Sequence, residues 1–272
     1  MDLIKNFNSN NILVICVQGP SCSGKSSLIK KVEKFLPNFT KINLDDYFTT
    51  KRKSNFYNYD DPSGIKWIEL LTLIRDILNQ KSILSVYSYD FKTSQSHGPF
   101  SIEHNKSQYL IIEGVYAYYP FAKPHIQKKF FNKMKQFKCK IINGKLNIRN
   151  VRDESTFVLD YNFSLISILL TSCKEIMIYK KVKRDPEERN ITEKCVKAQI
   201  KYNTWPATNK YVLSCKEEFD FLIEHGIYNE SAIDELLEAL RSALEKKVYN
   251  FKEIKYFCNF CKKQYISKIF NK

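Results

Sequence analysis

Ile12-Leu13-Val14-Ile15-Cys16-Val17-Gln18 runs directly into Gly19-Pro20-Ser21-Cys22-Ser23-Gly24-Lys25-Ser26-Ser27. The apolar, β-branched run predicts a buried strand, and the periodic segment from Ser26 to Phe35, halted near Pro37, predicts a helix. Between them stands Gly-x-x-x-x-Gly-Lys-Ser, which in a strand–turn–helix setting is a phosphate loop. Its chemistry follows from the residue types. Backbone N–H groups from Gly19 and from Ser21 to Ser27 can close around phosphate oxygens, and the start of the helix adds positive potential. Lys25 then reaches the β- and γ-phosphates, and the Ser26 hydroxyl is placed to ligate Mg²⁺. The expected ligands are therefore a nucleoside triphosphate, taken as ATP, and Mg²⁺.

Working outward, 272 residues suit one α/β domain with additions, and 43% hydrophobic residues suffice for a sizeable core. No apolar run reaches the eighteen or so residues of a membrane span, and Met1 to Asn11 lacks the pattern of a signal peptide. The expectation is a soluble, cytoplasmic protein with no membrane contact. Eight scattered cysteines then read as free thiols. Net charge is +15, but it is concentrated. Residues 122–162 carry ten Lys/Arg against three Asp/Glu, residues 246–272 carry eight against one, and the rest is near neutral. Such segments are more often solvated decoration than a nucleic-acid surface, so small-molecule substrates are the expected partners; RNA binding through the basic segments stands as the rival.

After the first helix, Phe39 to Leu44 predicts a strand ending in Asp45-Asp46-Tyr47-Phe48. Ligands bind at the C-terminal edge of an open α/β sheet, so an acid there can orient or deprotonate an attacking hydroxyl. Lys51 to Asp61 reads as a loop. A helix follows from Trp67 to Asn79, with Ile68, Leu71, Ile74 and Leu78 facing the core, then a short strand around Ile83 to Tyr87. Tyr109 to Gly114 predicts a strong strand whose Glu113 would be the second acid of the metal site. Residues 122–162 read as an insertion with a basic amphipathic piece (Ile126 to Phe137) and a hairpin from Lys140 to Ile148, its Asn143-Gly144 suited to a type I′ turn. Ser164 to Leu170 and Phe219 to Ile223 resume as strands. The cation-rich stretch from Lys180 to Arg189 could close over bound phosphates, and Ser231 to Lys246 reads as a helix capped by Ser231. Cys258-x-x-Cys261 is half of a zinc site with no second pair at suitable spacing.

These residues, in this order, resemble the uridine/cytidine kinase family, related to phosphoribulokinase and nicotinamide riboside kinase. Asp45-Asp46-Tyr47-Phe48, Asn58-Tyr59-Asp60-Asp61-Pro62, the segment Val86 to Thr93, Glu113-Gly114, and Arg184-Asp185-Pro186-Glu187-Glu188-Arg189 match five of its motifs. The likeness covers residues 12–121 and 164–245. It implies a doubly wound α/β fold with a parallel sheet of about five strands and a helical lid. It also implies transfer of the γ-phosphoryl group to the 5′-hydroxyl of uridine or cytidine, and possible homo-oligomers. Asp45 would act on the hydroxyl, with Lys25, Arg184 and Arg189 stabilising the transferred group. Ser26, Glu113 and Asp45 would organise the metal, and Asp60 and Tyr59 would meet the ribose. Tyr87, Tyr89, Phe91 and Lys92 would read the base, Lys181 would stand where a lid residue touches the ribose, and Gln199 would join the substrate site. Three departures stand out. Lys181 replaces a lid Arg, Asn190-Ile191 replaces Gly-Arg, and two registers put either Lys92 or Ser94 where the family has a pyrimidine-contacting His. The expected organisation is an extension (1–11), a kinase domain (12–245) with the insertion 122–162, and a basic tail (246–272). A nicotinamide riboside kinase, which Trp205-Pro206 with Lys210-Tyr211 also resembles, is the alternative.

Overall fold

The computed structural model describes residues 12–50, 60–246 and 254–256. Asn58, Tyr59 and the Cys258/Cys261 pair lie outside the described residues. The chain opens with β1 (Ile12–Gln18), α1 (Lys25–Val32), β2 (Phe39–Asn43) and α2 (Trp67–Leu78). Next come β3 (Ile83–Asp90), β4 (Gln95–Glu103), β5 (Tyr109–Gly114), α3 (Pro124–Phe131), β6 (Phe137–Ile142), β7 (Lys145–Asn150) and β8 (Thr156–Leu159). Then follow β9 (Phe163–Leu170), α4 (Lys174–Arg189), α5 (Glu193–Gln199), a π turn (Ile200–Thr204), α6 (Trp205–Ala207) and a second π turn (Thr208–Val212). The last elements are β10 (Phe221–Ile223), α7 (Glu230–Lys246) and β11 (Ile254–Tyr256).

β1 is buried along its whole length, and its side chains divide between two cores. Leu13, Ile15 and Val17 pack with Leu28 and Ile29 of α1 and with Ile233, Leu236 and Leu240 of α7. Ile12, Val14 and Cys16 face the other cluster, which holds Trp67, Leu70, Leu71 and Ile74 of α2. A strand apolar on both faces needs parallel partners on both edges and helices above and below. β1 has them: β5 lies parallel on one edge and β9 on the other. At about 1.5–3 kcal/mol per fully buried aliphatic side chain, β1 alone contributes roughly 10 kcal/mol before chain entropy is subtracted.

The main sheet runs β11-β10-β9-β1-β5-β2, all neighbours parallel. Five of these strands are the expected ones, and the architecture is the doubly wound α/β fold. β11 is an addition: Ile254-Lys255-Tyr256 is too short, and too closely set among lysines, to carry a strand signal. Two further strands escape the sequence pattern. β4 pairs antiparallel with β3 as a two-stranded arm, yet its residues are mostly polar and exposed and include Gly98-Pro99. β8 adds a third strand to the β6–β7 hairpin. That hairpin turns at Asn143 (φ 50°) and Gly144 (φ 74°), the two positive φ values of the expected I′ turn. Its inner residues Leu146 and Ile148, with Phe157 and Leu159 of β8, join the α2-side core.

Two helix details differ from expectation. α2 buries Trp67, Leu70 and Ile77 more deeply than Ile68 and Leu78, because its core-facing stripe is rotated. α7 is capped by Asn229, whose Oδ1 accepts from Ala232 N at 3.4 Å, not by Ser231, which lies inside the helix. Among the described residues no helix is long and apolar enough to cross a membrane.

Candidate active site

The sheet fixes where the site must be. β1, β2 and β5 end at the same edge, and each delivers its chemistry in the next few residues. From β1 the chain turns through Cys22 (φ 64°) and Gly24 (φ 91°) into α1. Gly24 is required twice over: its conformation is left-handed, and a Cβ there would stand 2.4 Å from Ile227 Cβ. The first turn of α1 has no side-chain cap, which leaves its N–H groups for an anion. The Lys25 ammonium folds back onto the loop carbonyls of Gly19 (3.1 Å) and Pro20 (3.0 Å). Burial lowers its pKa, and Asp45 and Glu113 oppose that shift. Ser23 is buried, and its backbone carbonyl ties the loop to the segment after β10 by accepting from Ile227 N at 3.1 Å.

At the end of β5, Glu113 is buried and its Oε2 accepts from Ser26 Oγ at 2.8 Å. Lys41 Nζ approaches the other carboxylate oxygen at 3.7 Å. Among the described residues no group of three or more His, Cys, Asp or Glu could cage a metal. The donors are thus a hydroxyl and one or two carboxylates, all hard oxygens. That set suits Mg²⁺, which keeps waters and takes phosphate oxygens in place of an all-protein cage.

β2 delivers the acids. In the 3₁₀ turn Leu44–Tyr47, Asn43 Oδ1 accepts from Asp45 N at 3.1 Å, and the Asp45 side chain lines the cleft together with Lys25, Ser26 and Glu113. Asp46 turns elsewhere and accepts a backbone hydrogen bond from Tyr89. Burial, then the charges of Asp45 and Glu113, push its carboxyl from 3.8 up to about 6. The sign for stability is clear. Well below pH 4 the group is protonated folded or unfolded, and above about pH 6 the folded state carries a disfavoured charge. Asp46→Asn is therefore expected to raise Tm at pH 8 and to change it little at pH 4. A shift of this size corresponds to about 3 kcal/mol, which partial exposure reduces to ~1 kcal/mol, or roughly 2–4 °C. Thermal melts at the two pH values check this; equal effects at both would refute it.

The far end of the cleft, which has a volume of about 320 Å³, is aromatic. Phe48, Tyr89 and Phe91 meet with centroids 5.1–6.3 Å apart, and the Arg189 guanidinium lies 4.0 Å over the Phe91 ring. Ser94 also lines the cleft. Two base-reading residues expected from the sequence, Tyr87 and Lys92, do not. A bulge between Val86 and Ser88 breaks the alternation that would put Tyr87 beside Tyr89; Tyr87 packs instead edge-on against Tyr47 and under Lys66 Nζ. Asp90 Oδ1 accepts from Lys92 N at 2.8 Å, an Asx turn that leaves the Lys92 side chain exposed and swings Ser94 (φ 57°) inward. Asp60 stands at the same end, its Oδ2 accepting from Thr204 Oγ1 at 2.8 Å; burial pushes its pKa up against the pull of Lys181 and this bond.

α4 forms the fourth wall. Asp185 is fully buried and gathers Arg184 Nη2 (2.7 Å), Lys181 Nζ (3.4 Å) and Arg189 Nε (3.7 Å). Burial alone would raise its pKa, but the three cations hold its carboxyl below the usual range. All three cations line the cleft, as does Gln199. Ile191 and Asn203 join the lining. No sequence signal marks Asn203 or the supporting Thr204, whereas Ile191 stands out as a departure from the family pattern. One cleft thus holds a phosphate loop, an acid, an oxygen-rich metal corner, three cations and an aromatic end.

A family model described as Phosphoribulokinase / Uridine kinase family matches residues 14–156. This chain belongs to that family. The family so described is one of P-loop kinases of the uridine kinase and phosphoribulokinase type, for which ATP is the phosphoryl donor. Uridine-cytidine kinase C of Dictyostelium discoideum is 31% identical over 114 residues, 42% of this chain; the chain spans only 25% of that protein's length. Uridine-cytidine kinase B of the same organism is 23% identical over 257 residues, covering 91% of this chain and 90% of the relative. A solved structure described as a fructose transport system kinase of Silicibacter sp. TM1040 matches with a TM-score of 0.50 at 14% identity, over 82% of this chain and 92% of that one. At such identity the likeness speaks to fold alone.

Proposed function

We propose that this kinase transfers the γ-phosphoryl group of ATP to the 5′-hydroxyl of uridine or cytidine. The observation that carries the reading is the position of Asp45, in one cleft with Lys25, Ser26 and Glu113 on one side and with Asp60, Tyr89 and Phe91 on the other. Lys25 and the loop N–H groups hold the donor phosphates. Ser26 and Glu113, with Asp45 nearby, hold Mg²⁺, which when bound neutralises charge on the β- and γ-oxygens. Asp45 accepts the proton of the 5′-hydroxyl as its oxygen bonds to the γ-phosphorus and the bond to the β–γ bridging oxygen breaks, releasing ADP. Arg184 and Arg189 stabilise the charge that spreads over the transferring group. Asp60 accepts from the ribose hydroxyls, and the aromatic end flanks the flat base. Base contacts fall to Ser94, Gln199 and Asn203, all neutral and able to serve uracil or cytosine.

A substrate panel with ATP tests this reading. Uridine or cytidine is expected to exceed nicotinamide riboside and ribulose 5-phosphate in kcat/KM by at least tenfold. Preference for nicotinamide riboside would sink the proposal. So would salt-sensitive RNA binding with no turnover of any acceptor.

A further inference from the structure

Asp60 is gripped at both ends of the residue. Its backbone carbonyl accepts from the hydroxyl of Tyr116, itself buried, and its side chain accepts from Thr204, which is 3% exposed. Thr204 is the last residue of the π turn Ile200–Thr204, closed by the bond from Trp205 N to Ile200 O. That winding matters. At 3.6 residues per turn, the fifth residue after Gln199 would point about 140° away from it. The wider π turn brings the fifth position back, so Thr204 reaches Asp60 while Gln199 and Asn203 line the cleft.

We infer that Thr204 is a positioning residue for the acceptor: its hydroxyl fixes the plane of the Asp60 carboxylate and so sets how tightly the sugar hydroxyls are held. The inference rests on the nucleoside reading of the acceptor end. A carboxylate has about four lone-pair sites, and vicinal hydroxyls need two of them in a defined plane. With one site of Oδ2 committed to Thr204, the group no longer rotates between poses. The charged and titratable groups around it are Lys181 and Arg189 from α4, Asp45 from the turn after β2, and Tyr116 after β5. Of the two influences that hold the Asp60 pKa down most, Lys181 and the Thr204 bond, only the second is lost when the hydroxyl is removed.

Thr204→Val keeps the β-branched shape and deletes the donor. It is expected to raise KM for the nucleoside about tenfold, the size of one hydrogen bond to a charged group, with kcat and KM for ATP within about twofold. The acid limb of kcat/KM for the nucleoside moves to higher pH, and Thr204→Ser restores both quantities. A valine variant with unchanged KM and acid limb would overturn the inference, as would a serine variant impaired as much as the valine one. Carboxyl NMR titration of Asp60 in the free protein separates this from the substrate reading. Thr204→Val should raise the Asp60 midpoint whatever the acceptor, and an unmoved midpoint refutes the coupling. A raised midpoint in a protein that phosphorylates no nucleoside would uphold the coupling and sink the substrate assignment.

Discussion

Asp45→Asn is expected to lower kcat by two to four orders of magnitude while changing the Kd for ATP by less than about threefold. The size is that of a general base removed from a transition state whose other stabilisers remain. The separation of effects follows from the geometry. Lys25 is held by its own loop carbonyls and Ser26 by Glu113, so neither depends on Asp45 for its position. Asn43 Oδ1 anchors the backbone of residue 45, and asparagine leaves that bond intact. Asp46 cannot take over, because its carboxylate is engaged by the Tyr89 backbone and does not line the cleft. Calorimetric titration with ATP beside steady-state kinetics at saturating uridine reads both quantities. Retention of more than a tenth of wild-type kcat would remove Asp45 from the role of base.

The parts of this molecule that were legible in the sequence are those where one local pattern has one structural solution. A β-branched run followed by Gly-x-x-x-x-Gly-Lys-Ser can be little else than a buried strand, a phosphate loop and a helix, and β5 ending in Glu113 speaks as plainly. The type I′ turn at Asn143-Gly144 was readable for the same reason, since both residues tolerate positive φ. β4, β8 and β11 were not readable. β4 is largely exposed and polar, so no apolar alternation records it, and the other two are only a few residues long. In the site, the resemblance offered Tyr87 and left Lys92 and Ser94 open; the bulge in β3 and the Asx turn at Asp90 take Tyr87 and Lys92 out of the cleft lining and leave Ser94 in it. Thr204 lies 144 residues from the carboxylate it serves and depends on a π turn, for which sequence carries no simple signature.

Asp185→Ala is expected to cost the most stability of any single change in α4, about 3–5 kcal/mol, which in a chain of this size is roughly a 10 °C fall in Tm. Deleting the buried partner of a charge cluster leaves the remaining charges uncompensated, and here three cations converge on one carboxylate. Their repulsion is already visible: Arg189 is held below its ordinary pKa by burial and then by Arg184, with Asp185 pulling the other way. Lys181 is only 6% exposed, so water screens its charge little. Asp185→Asn keeps the shape and one acceptor, so its loss should be intermediate. The ligand response distinguishes this electrostatic account from a simple packing defect. A triphosphate in the loop supplies the anion that the variant lacks, so ATP should raise Tm by more in Asp185→Ala than in the wild type. A packing defect would lower both melting curves equally. If the ATP-induced shift is the same in the two proteins, the cations are held by something other than Asp185; if it is larger in the variant, Asp185 is the internal counter-charge that the donor phosphates supplement on binding.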